Sequence, residues 1–179
     1  MTPPPARTPL VVIAGPLAAG KSAVSRRLAD SLRAEGHQLA LVELDQIADM
    51  ARPTLPDWAD AHRIFAAVTA QWLEAGLDLV IAESVSDRAE HDRMLRSVPA
   101  GTPALTVDLT CEVETALGRA QADSTRGLSR DEGFLRRAHA RWAEELPQIP
   151  ADLLLDSGTT SIDESAQQIR TLVEGRLGR

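Results

Sequence analysis

Residues 10–35 restrict the chain's options more than any other stretch. Leu10 to Ala14 is an unbroken apolar run, long enough for one buried strand, and Gly15-Pro16 ends it. Ser22 to Glu35 has helical composition, with Val24, Leu28 and Leu32 on one face and Gly36 placed to close the helix. The bend between them reads Gly15-Pro16-Leu17-Ala18-Ala19-Gly20-Lys21-Ser22. A strand that turns tightly into a helix, followed by a second apolar run at Leu39 to Leu44, outlines a right-handed βαβ unit.

The remaining chain continues the alternation. A helix is expected from about Asp57 to Glu74, ended by Gly76, and strands at Leu77–Ala82 and Ala104–Leu109. Further helices follow at Cys111–Ala122 and from near Asp131 through Glu145, then a strand at Leu153–Leu155 and a closing helix at Ile162–Leu177. Apolar strands need cover on both faces, so alternating helices predict a three-layer α/β domain around a parallel sheet. At 179 residues one such domain, 10–179, accounts for the chain. Met1 to Pro9 carries four prolines and no apolar centre of a signal peptide, and is expected to be a flexible lead.

The bend has the Gly-x4-Gly-Lys-Ser spacing of the Walker A pattern, in the strand–helix context that gives the pattern its meaning. Gly15 and Gly20 allow the tight backbone, Pro16 shapes the bend, and the amides of Leu17, Ala18, Ala19, Gly20 and Lys21, with the helix N-terminus, can hold phosphate charge. Lys21 is placed for the β- and γ-phosphates and Ser22 for Mg2+. ATP and magnesium are therefore the expected cofactors. The pattern does not choose the phosphoryl acceptor.

In a parallel sheet the chemistry gathers at the C-terminal strand ends. Asp45, just past the second run, is the candidate base for an acceptor hydroxyl, or an orienter of magnesium-bound water. Glu43, two residues earlier, is a candidate for holding substrate or magnesium. Glu83, after the third run, suits a magnesium-ordering carboxylate, and Asp87 and Arg88 lie just beyond on the acceptor side. Trp58 and His62 are candidate substrate contacts, although Trp58, Trp72 and Trp142 as a set read first as packing residues. Asp108 ends the fourth run and is a weaker candidate.

Between Arg119 and Arg141 stand six arginines against three acids, Asp123, Asp131 and Glu132, in a chain of net charge -7. A polar, glycine-bearing centre at 122–132 suggests a lid in which Arg126 and Arg130 approach the phosphates and Arg119 lies beside the nucleotide base. The acidic balance argues against a general nucleic-acid binder. No segment has the length of a membrane span, so a cytoplasmic protein without nucleic-acid or membrane partners is the default expectation. The one cysteine, Cys111, excludes an intrachain disulfide, and the four histidines show no metal-ligand spacing.

The sequence resembles P-loop small-molecule kinases of the chloramphenicol phosphotransferase-like and shikimate kinase-like group. The resemblance rests on Gly15 to Ser22, on Glu43-Leu44-Asp45-Gln46-Ile47 and on Arg119 to Asp131. It implies a five-stranded parallel sheet, an ATP site under an arginine lid, Asp45 as acceptor base, Arg119 and the turn Asp156–Thr159 beside the adenine, and an acceptor pocket lined by residues 47–65. Glu83-Ser84-Val85-Ser86-Asp87 stands where a shikimate kinase would have glycines, which turns the expectation toward another alcohol. Two alternatives stay open: a nucleotide or nucleoside-like kinase, and a regulatory ATP-binding protein with slow hydrolysis.

Overall fold

The computed structural model describes residues 7–55, 57–124 and 127–177. Five parallel strands form one sheet: β1 (Leu10–Ala14), β2 (Leu39–Glu43), β3 (Leu79–Val85), β4 (Ala104–Thr110) and β5 (Leu153–Asp156), in the order β2-β3-β1-β4-β5. The strand that feeds the glycine bend is thus central, and all of its residues are buried. Seven α-helices are described: α1 (Lys21–Ala34), α2 (Leu44–Asp49), α3 (Trp58–Glu74), α4 (Arg88–Ser97), α5 (Val113–Ala122), α6 (Glu132–Glu145) and α7 (Ile162–Leu177).

The period of two in the strands divides the core. Leu10, Val12, Ala14, Val80 and Ala82 face one way, packing with Phe65, Met94 and Trp142 from α3, α4 and α6. Val11, Ile13, Ile81, Val107 and Leu109 face the other, against Leu28 of α1 and Ile169 of α7. Three layers result, and every strand delivers its C-terminal end to the same edge.

Four details differ from expectation. The third strand starts at Leu79, because Asp78 is used in the preceding turn: its carboxylate accepts from the Gln38 amide at 2.9 Å and its own amide donates to Gln38 O at 2.8 Å. It then runs past Glu83 to Val85, pairing with Ile13 and Ala14, with one irregularity between them. Glu83 is therefore inside the strand, not after it. The second strand stops at Glu43, since Leu44 turns its apolar side chain into the core as the first residue of α2, a helix the pattern did not disclose. Of the expected N-terminal lead, residues 1–6 lie outside the described part, while Thr8 is buried and Pro9 O accepts from the Val80 amide at 2.9 Å. Of the three tryptophans, Trp142 is buried, but Trp58 and Trp72 keep 40% and 45% of their surface exposed, so the packing expectation holds for one.

Candidate active site

Gly15 and Gly20 are where the bend needs glycine. At Gly15 (φ +144°) an added Cβ would lie 2.2 Å from the Leu109 carbonyl oxygen, so the chain passes β4 closer than any side chain permits. Gly20 (φ +95°) is the left-handed residue that turns the loop into α1. Between them, each carbonyl has a side-chain donor. Lys21 Nζ donates to Gly15 O at 2.8 Å and Pro16 O at 3.0 Å. His139 Nε2 donates to Leu17 O at 2.8 Å, Arg119 Nη1 to Ala18 O at 3.5 Å, and Ser157 Oγ to Ala19 O at 2.6 Å. In a trans peptide the N–H points opposite to the carbonyl, so holding Leu17 O and Ala19 O from outside aims the amides of Ala18 and Gly20 the other way, as anion donors.

The carboxylates come from the neighbouring strands. Glu43 and Glu83 are register partners in β2 and β3, and both are buried. Glu43 accepts from Arg26 Nε at 2.9 Å and from Gln46 Nε2. Glu83 hydrogen-bonds the Ser22 hydroxyl; burial first, then the charges of Glu43 and Asp45, push its pKa up to about 7 against the opposing pull of Lys21. Asp45 stands exposed in the first turn of α2, one residue past the strand end, so the chain turn separates it from buried Glu43.

A divalent cation fits this donor set. Ser22 lies beside Glu83, whose pKa burial raises first and the charges of Glu43 and Asp45 raise further, so a cation at this point would offset the cost of the buried carboxylate. Among the described residues no group of three or more His, Cys, Asp or Glu forms a self-sufficient metal centre. Magnesium suits that arrangement because it keeps waters and shares phosphate oxygens instead of needing an all-protein cage.

The sheet order separates two sides. On the β4–β5 side, Arg119 Nη1 and Nη2 donate to Ser157 Oγ at 3.0 Å and Ser157 O at 2.7 Å, joining the two segments expected beside a nucleotide base. On the β2–β3 side, His62 Nε2 pairs with Glu90 Oε1 at 2.7 Å, and the other Glu90 oxygen accepts from the Ser86 amide and hydroxyl. Trp58 lies 6.4 Å from the His62 ring, with Arg52 5.4 Å over its own ring. Arg88 is drawn to the end of α6, its amide donating to Glu145 at 2.7 Å and its guanidinium to Gln148. Of the expected lid arginines, Arg130 is exposed at the end of a single 3-10 turn, Leu128–Arg130, and Arg126 lies outside the described residues.

Sequence reasoning missed two groups. His139, one of the four histidines without metal-ligand spacing, clamps the phosphate bend; its partner is a backbone oxygen 122 positions away, which no spacing rule reveals. His91, another of those histidines, is buried at 1% exposure and bonds Thr106 Oγ1 at 3.0 Å. The α-helical period of α6 was the available signal for His139, since it shares a face with buried Leu135 and Trp142.

No family model matches the chain. Over 176 residues it is 30% identical to the shikimate kinase of Xanthomonas oryzae pv. oryzae (strain PXO99A), a match spanning 90% of this chain and 89% of the relative. Its fold is shared with the APS kinase of Mycobacterium tuberculosis in complex with AMPPNP and APS, at TM-score 0.66 and 22% identity over 95% of this chain and 99% of that one. The shikimate kinase from Acinetobacter baumannii in complex with shikimate matches at TM-score 0.65 and 21% identity, covering 94% of each chain. With the Gly15–Ser22 bend on the central strand of a five-stranded parallel sheet, the chain belongs to the shikimate kinase family and is a kinase-like phosphotransferase of the P-loop fold.

Proposed function

We propose that the chain transfers the γ-phosphoryl group of ATP to a hydroxyl of a small-molecule alcohol. The observation that carries this reading is that Lys21, Ser22 and Asp45 all act on buried Glu83 at the C-terminal edge of the sheet, beside the Gly15–Ser22 bend.

In this reading the amides of Ala18 and Gly20 and the N-terminus of α1 hold the β- and γ-phosphates. Lys21 leaves the carbonyls of Gly15 and Pro16 for phosphate oxygens, exchanging two neutral acceptors for a charged one. Ser22 and Glu83 would hold magnesium, which supplies charge neutralisation at the transferring phosphate. Asp45 accepts the proton of the acceptor hydroxyl as that oxygen bonds to the γ-phosphorus and the bond to the β–γ bridging oxygen breaks, releasing ADP. Its exposed place in α2 leaves it accessible to an incoming alcohol. Glu43, tied to Arg26 and Gln46, fixes the base of this wall and does not move to the substrate. Arg119 braces the bend on the base side, and Arg126 and Arg130 close over the triphosphate as a lid at 122–132, excluding water. Trp58 and His62 line the acceptor side and Arg88 borders it.

Asp45→Asn tests the assignment. Phosphoryl transfer should fall by about 100-fold or more, in the range of general base catalysis, while nucleotide affinity changes little. Near-normal product formation by the folded variant would remove Asp45 as the base. Retained ATP binding in a protein for which no alcohol yields a phosphate ester would favour the regulatory alternative.

A further inference from the structure

Apolar surface left outside the two core layers gathers at one corner of the fold. β2 is an outer strand: it pairs with β3 on one side and, among the described residues, with nothing on the other. Its run Leu39-Ala40-Leu41-Val42 carries neither charge nor proline, the usual protections of a sheet edge, and Leu39 and Leu41 are only half-buried. Helix α3 rests on β2 and β3 alike. One flank of that helix is turned to α4, as the His62–Glu90 pair at 2.7 Å marks. Ile64, Val68 and Trp72 recur every four residues and fall about 200–280° around the helix from His62, on the flank away from α4 and toward the free edge of β2. Ile64 and Trp72 keep 40% and 45% of their surface exposed, and Met50, just past α2, keeps 80%.

We propose that this corner is the interface of a two-fold dimer, in which β2 pairs antiparallel with β2 of a second copy and α3 packs along its own copy. The dimensions agree. A helix seated between β2 and β3 lies half a strand spacing inside β2, so edge pairing at about 4.8 Å puts the two α3 axes about 10 Å apart, the packing distance of helices. A two-fold axis normal to the sheet keeps both helices on one face and makes them antiparallel. Asp78, just after α3, bonds Gln38 in both directions, so the C-terminal end of the helix is level with the start of β2. The middle of β2, three residues on, lies about 10 Å higher, which is roughly seven helical residues and brings the axis to Val68. Ile64 then meets Trp72 of the second copy, and Val68 meets Val68.

Charge selects the same occupant. In that register Arg63 arrives beside Glu74 of the second copy, and the symmetry forms the pair twice. Glu74 is exposed and has no ion pair among the described residues, while Arg63, 72% exposed, holds Asp60 at 3.2 Å with room for a further acceptor. A surface complementary to itself under two-fold rotation, in both its apolar stripe and its charges, fits a second copy of this chain.

Sedimentation velocity of the full chain between about 1 and 100 µM tests the proposal. The expected result is a reversible equilibrium that approaches twice the 19.3 kDa of one chain. Ile64→Glu with Trp72→Glu, both at exposed positions, should weaken association at least tenfold while circular dichroism and thermal unfolding show a folded protein. Arg63→Glu and Glu74→Arg should each weaken it, and the two together should restore it, a recovery that loss of folding cannot produce. A wild-type protein that stays monomeric throughout overturns the proposal. So does a dimer indifferent to the Ile64 and Trp72 changes, which places the interface elsewhere, or a double charge reversal that adds to the single effects instead of cancelling them.

Discussion

Replacing Asp108 by asparagine should abolish a loss of stability that the wild-type protein undergoes as pH rises from about 4 to 6.5. Asp108 lies in β4 beside Ala14, is fully buried, and neither of its carboxylate oxygens has a hydrogen-bond partner among the described residues. Burial raises its pKa from the ordinary 3.8 to about 6. A carboxyl whose folded pKa lies above its unfolded value favours the folded state fully below the unfolded value, and that favour is lost as pH rises through the folded one. The gap of roughly two pH units is worth about 3 kcal/mol. Asparagine keeps the shape and carries no charge at any pH, so any fixed cost of its amide cancels from the slope. Urea unfolding of both proteins from pH 3.5 to 8 should show the wild type losing about 3 kcal/mol relative to Asp108→Asn, within the window from about 4 to 6.5. The other carboxylates titrate in both proteins and drop out of the difference. Parallel stability curves would refute the reasoning and mean that the buried carboxylate is compensated.

Two further predictions concern the clamps on the bend. His139→Leu should raise the KM for ATP by about fivefold to tenfold, the worth of one hydrogen bond that orients a phosphate-binding amide, and His139→Gln should recover most of it because its amide can still donate to Leu17 O; steady-state kinetics at fixed acceptor decides this. Arg119→Ala removes the guanidinium that joins Ala18 O to Ser157, and nucleotide affinity measured calorimetrically should fall by about tenfold, whereas an unchanged value would make that contact only structural.

The sheet, its helices and the phosphate bend were legible because they rest on local rules. Apolar runs of strand length, glycine at obligatory backbone positions and the Lys-Ser pair at a helix start need only near neighbours to be recognised. The closing helix, Ile162–Leu177, matched residue for residue. What escaped depends on distant partners. Glu83 reads as a strand-ending charge until β3 is seen to run through it to Val85 by pairing with β1. Helix α2 hid in what looked like a strand end, because Leu44 fits either pattern and only its packing with Ile47 and Ala48 selects the helix. The pairing of His62 with Glu90 and of Arg141 with Asp87 joins residues of different helices and loops, so the charge of the acceptor wall could not be summed from composition.

Calorimetric titration of the folded chain with ATP and magnesium tests the claim on which the rest stands. One saturable site per chain is predicted, weakened at least tenfold in Lys21→Met, where the loop carbonyls of Gly15 and Pro16 also lose their donor. Absence of binding by the wild-type protein, or equal affinity in the variant, would contradict it.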